Sequence, residues 1–175
     1  MLTTPPSARQ GALPSLLVWL KEHGIEHEVH EHAATYTARQ TAHAEGVDPR
    51  TFAKVVGVHT DDDRTFLLVL DATDQVDIIK ARHALLAREV RLLTEPQLTA
   101  LAPDCDPGAI PAVGVLFRVP MVADFAVRED RDISFNAGSH QFSVRVDRKA
   151  WESASEVRYA DLALESESRP AWARS

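Results

Sequence analysis

The stretch Phe52-Ala53-Lys54-Val55-Val56-Gly57-Val58 decides how this chain is read. Side chains alternate across an extended strand, so Phe52, Lys54, Val56 and Val58 share one face and Ala53, Val55 and Gly57 the other. Both faces are apolar, which predicts a strand covered on both sides. Lys54 is the one charge in the run. An ammonium there loses hydration at a net cost on the order of several kcal/mol unless something compensates. Desolvation also favours the neutral amine. Periodicity leaves two readings open: the side chain snorkels past the strand end to water, or the charge or the amine is used chemically.

Upstream, five apolar residues at 16–20 ahead of Gly24 predict a short helix over 15–23. Residues 25–32 alternate as a strand, and Thr37-Ala38-Arg39-Gln40 matches a capping box for a helix that stops at Gly46. Downstream, strands over 52–59 and 65–70 flank the turn Asp61-Asp62-Asp63. A helix over 77–87, a strand over 88–93 and a helix opened by Thr94-Glu95-Pro96-Gln97 follow. Short strands are expected at 113–117, 121–127, 132–136 and 142–146, then a helix capped by Asp147 and a last strand at 157–160. Helices among many short strands predict a single α+β domain with a mixed, curled, barrel-like sheet flanked by helices. Proline-rich residues 1–14 read as a flexible leader, 15–162 as the domain and 163–175 as a polar tail.

The 175 residues, 45% hydrophobic and 26% charged, are ordinary for one globular domain. Cys105 stands alone, so no intrachain disulfide forms, which suits a reducing cytoplasm. No apolar run approaches the ~18–20 residues of a membrane span, and Met1–Pro6 does not read as a signal peptide. A net charge of −7 argues against a general duplex-DNA binder, because such affinity comes mainly from cations on phosphates.

Two further segments carry candidate chemistry. In 106–114, two glycines and two prolines fix a backbone shape that a ligand can approach closely, with amides able to face an oxyanion. Alternatively it is a plain helix-to-strand connection. Asn136-Ala137-Gly138-Ser139-His140 reads as a glycine-centred hairpin turn bearing a hydroxyl and an imidazole. Cys105 between Asp104 and Asp106 is a poor thiolate, and Ser139 lacks the strand-to-helix elbow of a serine hydrolase. His27, His30 and His32 read as an exposed histidine-rich strand rather than a metal site, since only His30 and His32 share a face.

In this order the segments resemble the YbaK/prolyl-tRNA synthetase-associated domain family, over residues 15–160. Tyr36-Thr37 through Ala42 is similar to its helix start, and Ala53-Lys54-Val55 to the strand bearing its characteristic lysine. Gly108-Ala109-Ile110-Pro111 with Gly114 resembles its glycine–proline loop, and Met121 to Asp124 and Ala137-Gly138-Ser139 its later elements. The family's loop usually carries proline four residues after its first glycine, and Ala112 stands there instead.

The resemblance implies a trans-acting deacylase that hydrolyses the ester of a mischarged tRNA, with tRNA-Pro carrying a small non-cognate amino acid as the usual theme. Lys54 is its implied catalytic residue. Thr37, Phe52, Gly108, Ala109, Ile110, Pro111, Gly114, Gly138, Ser139 and His140 are the implied substrate-binding set. It implies no cofactor and no metal. The partners are the 3′ end of aminoacyl-tRNA and prolyl-tRNA synthetase in trans. The alternative is a non-enzymatic module of the same fold that holds an amino acid, a tRNA end or a partner protein.

Overall fold

A computed structural model describes residues 11–35 and 37–165. The predicted leader and tail therefore lie outside the described residues up to position 10 and from 166, as does Tyr36.

The helices sit where local chemistry puts them. Helix α1 (Pro14–Glu22) begins on a proline, which needs no amide partner there, and ends before Gly24 at a φ of +64°. After strand β1 (His27–Glu31), α2 (Ala38–Glu45) is capped by the Thr37 side chain, which accepts from the Gln40 amide, and stops at left-handed Gly46. Strands β2 (Ala53–Thr60) and β3 (Thr65–Asp71) form a hairpin. Asp77 caps α3 (Ile78–Leu85), strand β4 (Val90–Leu92) follows, and Thr94 with Gln97 completes a capping box on α4 (Glu95–Leu101). The rest runs as β5 (Met121–Asp124), β6 (Asp132–Ser139), β7 (Phe142–Asp147), α5 (Arg148–Ser155) and β8 (Arg158–Ala160).

The strands form two sheets, in the orders β1-β7-β6 and β4-β2-β3-β5-β8. The fold is mixed α+β as expected, but the strands do not close into the expected barrel among the described residues. The sheets meet at one isolated parallel bridge, Phe52 to Ser134. The main core gathers Ala53, Leu67, Val69, Phe135, Ala137 and Trp151 with α1. A second cluster packs Val58, Leu68 and Leu70 under α3, and a third packs Phe52 and Ala72 under α2.

Three local expectations are corrected. Residues 113–117 are not a strand but a 3-10 turn, Gly114–Phe117, because the chain doubles back so that the Val119 amide donates to Gly114 O at 3.1 Å. The expected strand at 121–127 stops at Asp124, whose carboxylate takes the Ala126 amide and starts a second 3-10 turn, Phe125–Glu129. The expected turn at 136–140 is mostly strand: β6 runs to Ser139, and the turn is His140-Gln141. A bulge between Asn136 and Ser139 takes up Gly138 at a φ of +90°.

Candidate functional site

Strand β2 places Lys54 where strand pairing lapses. At one end Ser134 N–H donates to Thr51 O at 3.1 Å beside the Phe52 bridge. At the other, Leu93 N–H donates to Gly57 O at 2.9 Å, and the β4 register starts at Val58. Between these points no described strand is registered against the β2 edge turned away from β3. Lys54 lies in that gap, opposite Leu70 of β3. Its neighbours Ala53 and Val55 face the main core, so its side chain leaves on the other face, with Phe52 and Val56. The residue is partly buried, neither sunk in the core nor extended into bulk water. Burial pushes its amine down from the ordinary 10.5, and Asp74, in the turn after β3, partly offsets this.

The glycine–proline loop is tied to the same region through β6. Asp106 N–H donates to Gly138 O at 2.9 Å, and Gly138 N–H donates back to Ala109 O at 2.9 Å. His140 N–H donates to Asp106 Oδ2 at 3.1 Å. Gly108 is exposed and lies against the imidazole: a Cβ there would be 3.0 Å from His140 Cε1. Thr35 N–H donates to His140 O at 3.1 Å, which draws the lead into α2 to the same turn. Along β6, Ser134 meets β2 and Gly138 meets the loop, four residues or about 13 Å apart. Gly108, Ala109, Gly138, Ser139 and His140 thus come together, at the end of β6 beyond its bridge to the strand that carries Lys54.

Other predicted site residues do different work. Thr37 Oγ1 is engaged in capping α2, Phe52 is fully buried beneath it, and Ser139 Oγ accepts from the Gln141 amide at 3.1 Å. Ile110 belongs to the main core, and Pro111 is buried. Gly114 is required sterically, since a Cβ there would stand 2.3 Å from Val119 O. Ala112, the departure from the family's proline, is tied to the core behind the loop. Its carbonyl accepts from Trp151 Nε1 at 2.6 Å, with both residues fully buried, and Val113 N–H donates to Pro111 O at 2.8 Å. Sequence reasoning missed Trp151 and gave no role to Asp106 and Asn136 within its two candidate segments, because local spacing announces neither partners 39 and 34 residues away nor the burial of an amide.

The histidine-rich strand splits in two. His30 faces solvent beside Glu28. The His32 side chain is buried, with Nε2 3.3 Å from Glu45 Oε1, which also accepts from Ser143 Oγ. Among the described residues no three His, Cys, Asp or Glu side chains group to hold a metal. Cys105 is buried under Gly138, 3.5 Å from where a Cβ there would sit. A cleft of about 580 Å³ lined by Leu13, Asp104, Ala137 and Gly138 reaches this region from the side. A wider one of about 970 Å³ lies among α1, β1 and β7, lined by Leu17, Lys21 and Arg145 and by no residue of β2 or the loop. No helix among the described residues is long and apolar enough to cross a membrane.

This two-sheet α+β arrangement is shared with solved proteins of little sequence similarity. One, known as a hypothetical protein, superposes with a TM-score of 0.78 at 17% identity, covering 85% of this chain and 99% of that one. Another, a proposed trans-editing enzyme for prolyl-tRNA synthetase, gives 0.76 at 21%, covering 93% and 100%. A proposed signal transduction protein from Marinobacter aquaeolei VT8 gives 0.68 at 15%, covering 87% of this chain but 31% of that one. At these identities the likeness defines the fold alone. The family model of the aminoacyl-tRNA editing domain matches residues 32–153, and the chain belongs to that family. No curated protein matches the sequence.

Proposed function

We propose that the protein is a trans-acting deacylase that hydrolyses the ester of a mischarged aminoacyl-tRNA in the cytoplasm, with tRNA-Pro carrying a small amino acid as substrate. Water adds to the ester carbonyl, the bond to the ribose oxygen breaks, and that oxygen leaves with a proton as the ribose hydroxyl. Lys54 holds the carbonyl or the terminal phosphate–ribose group, a task for a cation that the fold keeps only partly hydrated. The amides of Gly108 and Ile110 address the carbonyl or the amino-acid moiety, and Gly138 and Ser139 line the opposite side. The neighbouring ribose hydroxyl relays a proton from the attacking water to the departing oxygen, so no protein nucleophile is needed. Only the aminoacylated 3′ end has to be gripped, which reconciles an RNA substrate with a net charge of −7. Prolyl-tRNA synthetase is the partner this reading supplies, acted beside in trans.

The observation that carries this reading is Lys54, partly desolvated in the gap between β2 and the loop-bearing end of β6. The test is a panel of mischarged tRNAs, headed by alanyl-tRNA-Pro. Hydrolysis of at least one is expected, together with its loss in Lys54→Ala while the circular dichroism spectrum is kept. Full activity in that variant removes the mechanism, and binding without turnover across the panel favours a non-enzymatic module.

A further inference from the structure

Asn136 lies two residues beyond Ser134 on β6, as Lys54 lies two beyond Phe52 on β2. In the parallel register set by the Phe52–Ser134 bridge, the two positions face each other and their side chains leave the same face. Pairing ends at that bridge, so they flank the space where the strands part. Asn136 is 7% exposed, and its side-chain oxygen is buried with no hydrogen-bond partner among the described residues. Buried polar atoms are rarely left so.

No described donor reaches it, the amine of the facing Lys54 included. Ser143, directly across β7 from Asn136, gives its hydroxyl proton to Glu45. The Gly138 amide goes to Ala109 O. An oxygen of this kind can only accept, and Lys54, facing it in the register, already offers a cation for the acyl or phosphate oxygens. The donor an aminoacyl ester brings close to its carbonyl is the α-ammonium. Accepting from an ionised donor makes a stronger bond than a neutral pair.

We infer that Asn136 Oδ1 receives the α-ammonium of the aminoacyl group, so that the site prefers α-amino acyl groups to the same acyl groups with hydrogen in place of the amino group. The inference rests on the deacylase reading for the kind of substrate, and deepens it by naming the group that reads the amino acid. Discrimination arises because the analogue lacking the ammonium leaves a buried acceptor without its partner.

The test separates binding from turnover. Alanyl and propionyl groups are attached to 3′-amino-3′-deoxyadenosine through an amide, which no ester hydrolysis can consume. Affinities are measured by titration calorimetry on the wild type, Asn136→Leu and, in case the first variant melts early, Asn136→Ala. The wild type is expected to prefer the alanyl probe by roughly 10- to 100-fold, as for a hydrogen bond to a charged group. The variants are expected to bring that preference within about 3-fold while leaving the propionyl affinity in place. A wild type that binds neither probe, or shows no preference, overturns the inference, as does a folded variant that keeps the wild-type preference. Deacylation of mischarged tRNA by the wild type is scored separately. Preference without turnover leaves the Asn136 site standing and removes the catalytic reading, and turnover without preference does the reverse.

Discussion

Replacing Trp151 by Phe tests whether the candidate loop is held from behind. Trp151 is fully buried on α5 and donates from Nε1 to Ala112 O at 2.6 Å. Phenylalanine keeps one ring in the core but removes the donor, leaving a buried carbonyl unsatisfied at about 1–3 kcal/mol. The missing ring atoms leave space that adds about 1 kcal/mol. A combined loss of roughly 2–4 kcal/mol lowers Tm by roughly 5–15 °C in a domain of this size. Ala112 is four residues from Gly108, so loosening its carbonyl loosens the backbone proposed to meet the substrate. Hydrogen exchange should quicken at Val113, whose amide donates to Pro111 O, and at Gly138, whose amide donates to Ala109 O. Deacylation should fall with it. Ser155→Ala serves as the control: it removes a 2.6 Å bond from Oγ to Trp151 O on the same helix without touching the loop, and should cost about 1 kcal/mol and leave exchange at Val113 unchanged. A Trp151→Phe protein melting with the wild type, with Val113 exchange unaltered, would refute the idea that this bond rigidifies the loop.

Lys54→Met should abolish deacylation yet raise Tm, because it removes a charge the fold holds against a desolvation penalty. The sign follows from the lowered pKa: the unfolded chain binds the proton more tightly, so the penalty is fully present at pH 7 and fades as pH climbs through the lowered value toward 10.5. The Tm gain of the Met variant should therefore shrink between neutral pH and pH 10, and a constant gain would contradict it. Asp124→Ala should cost on the order of 3–5 kcal/mol, seen as a large drop in the urea midpoint, because the buried carboxylate accepts amides from Ala126, Leu162 and Ala163 that would all lose their partner. Gly114→Ala should give little soluble protein, since its methyl would meet the Val119 backbone oxygen at 2.3 Å. Gly57→Ala, which meets only the side-chain tips of Leu93 and Leu98 at 2.8 Å, should fold with a loss of about 1–3 kcal/mol by thermal melt.

What was legible in the chain was what neighbouring residues decide together. Thr37, Asp77, Thr94 and Asp147 each accept from an amide two or three residues on, and Gly46 takes the left-handed turn that ends α2, so those helix ends follow from short-range chemistry. The alternation around Lys54 likewise placed Ala53 and Val55 with the core and Lys54 on the opposite face. The 3-10 turn at Gly114–Phe117 was misread as a strand because Val113, Val115 and Leu116 have the composition of one. A local return of the chain overrides it, with left-handed Arg118 and the Val119 amide on Gly114 O five residues back, and no glycine at Arg118 announces it. The glycine-centred segment at 136–140 misled for the opposite reason: Gly138 looked like a turn, but a bulge absorbs its positive φ inside β6.

The candidate site itself depends on where pairing stops, and that is the hardest thing to read from residues. A strand announces itself by composition, but the end of its pairing is settled by a partner far along the chain. Here one bridge, Phe52 to Ser134, brings two sheets into contact and then lets them diverge. Had β6 continued alongside β2, Lys54 and Asn136 would be adjacent members of a closed sheet with no room between them. Had it not touched at all, the loop fastened to Gly138 would have no fixed relation to Lys54. The end of pairing after a single bridge leaves a costly lysine and an amide oxygen without a partner facing each other across unpaired backbone, each of which would be a defect in a continuous sheet.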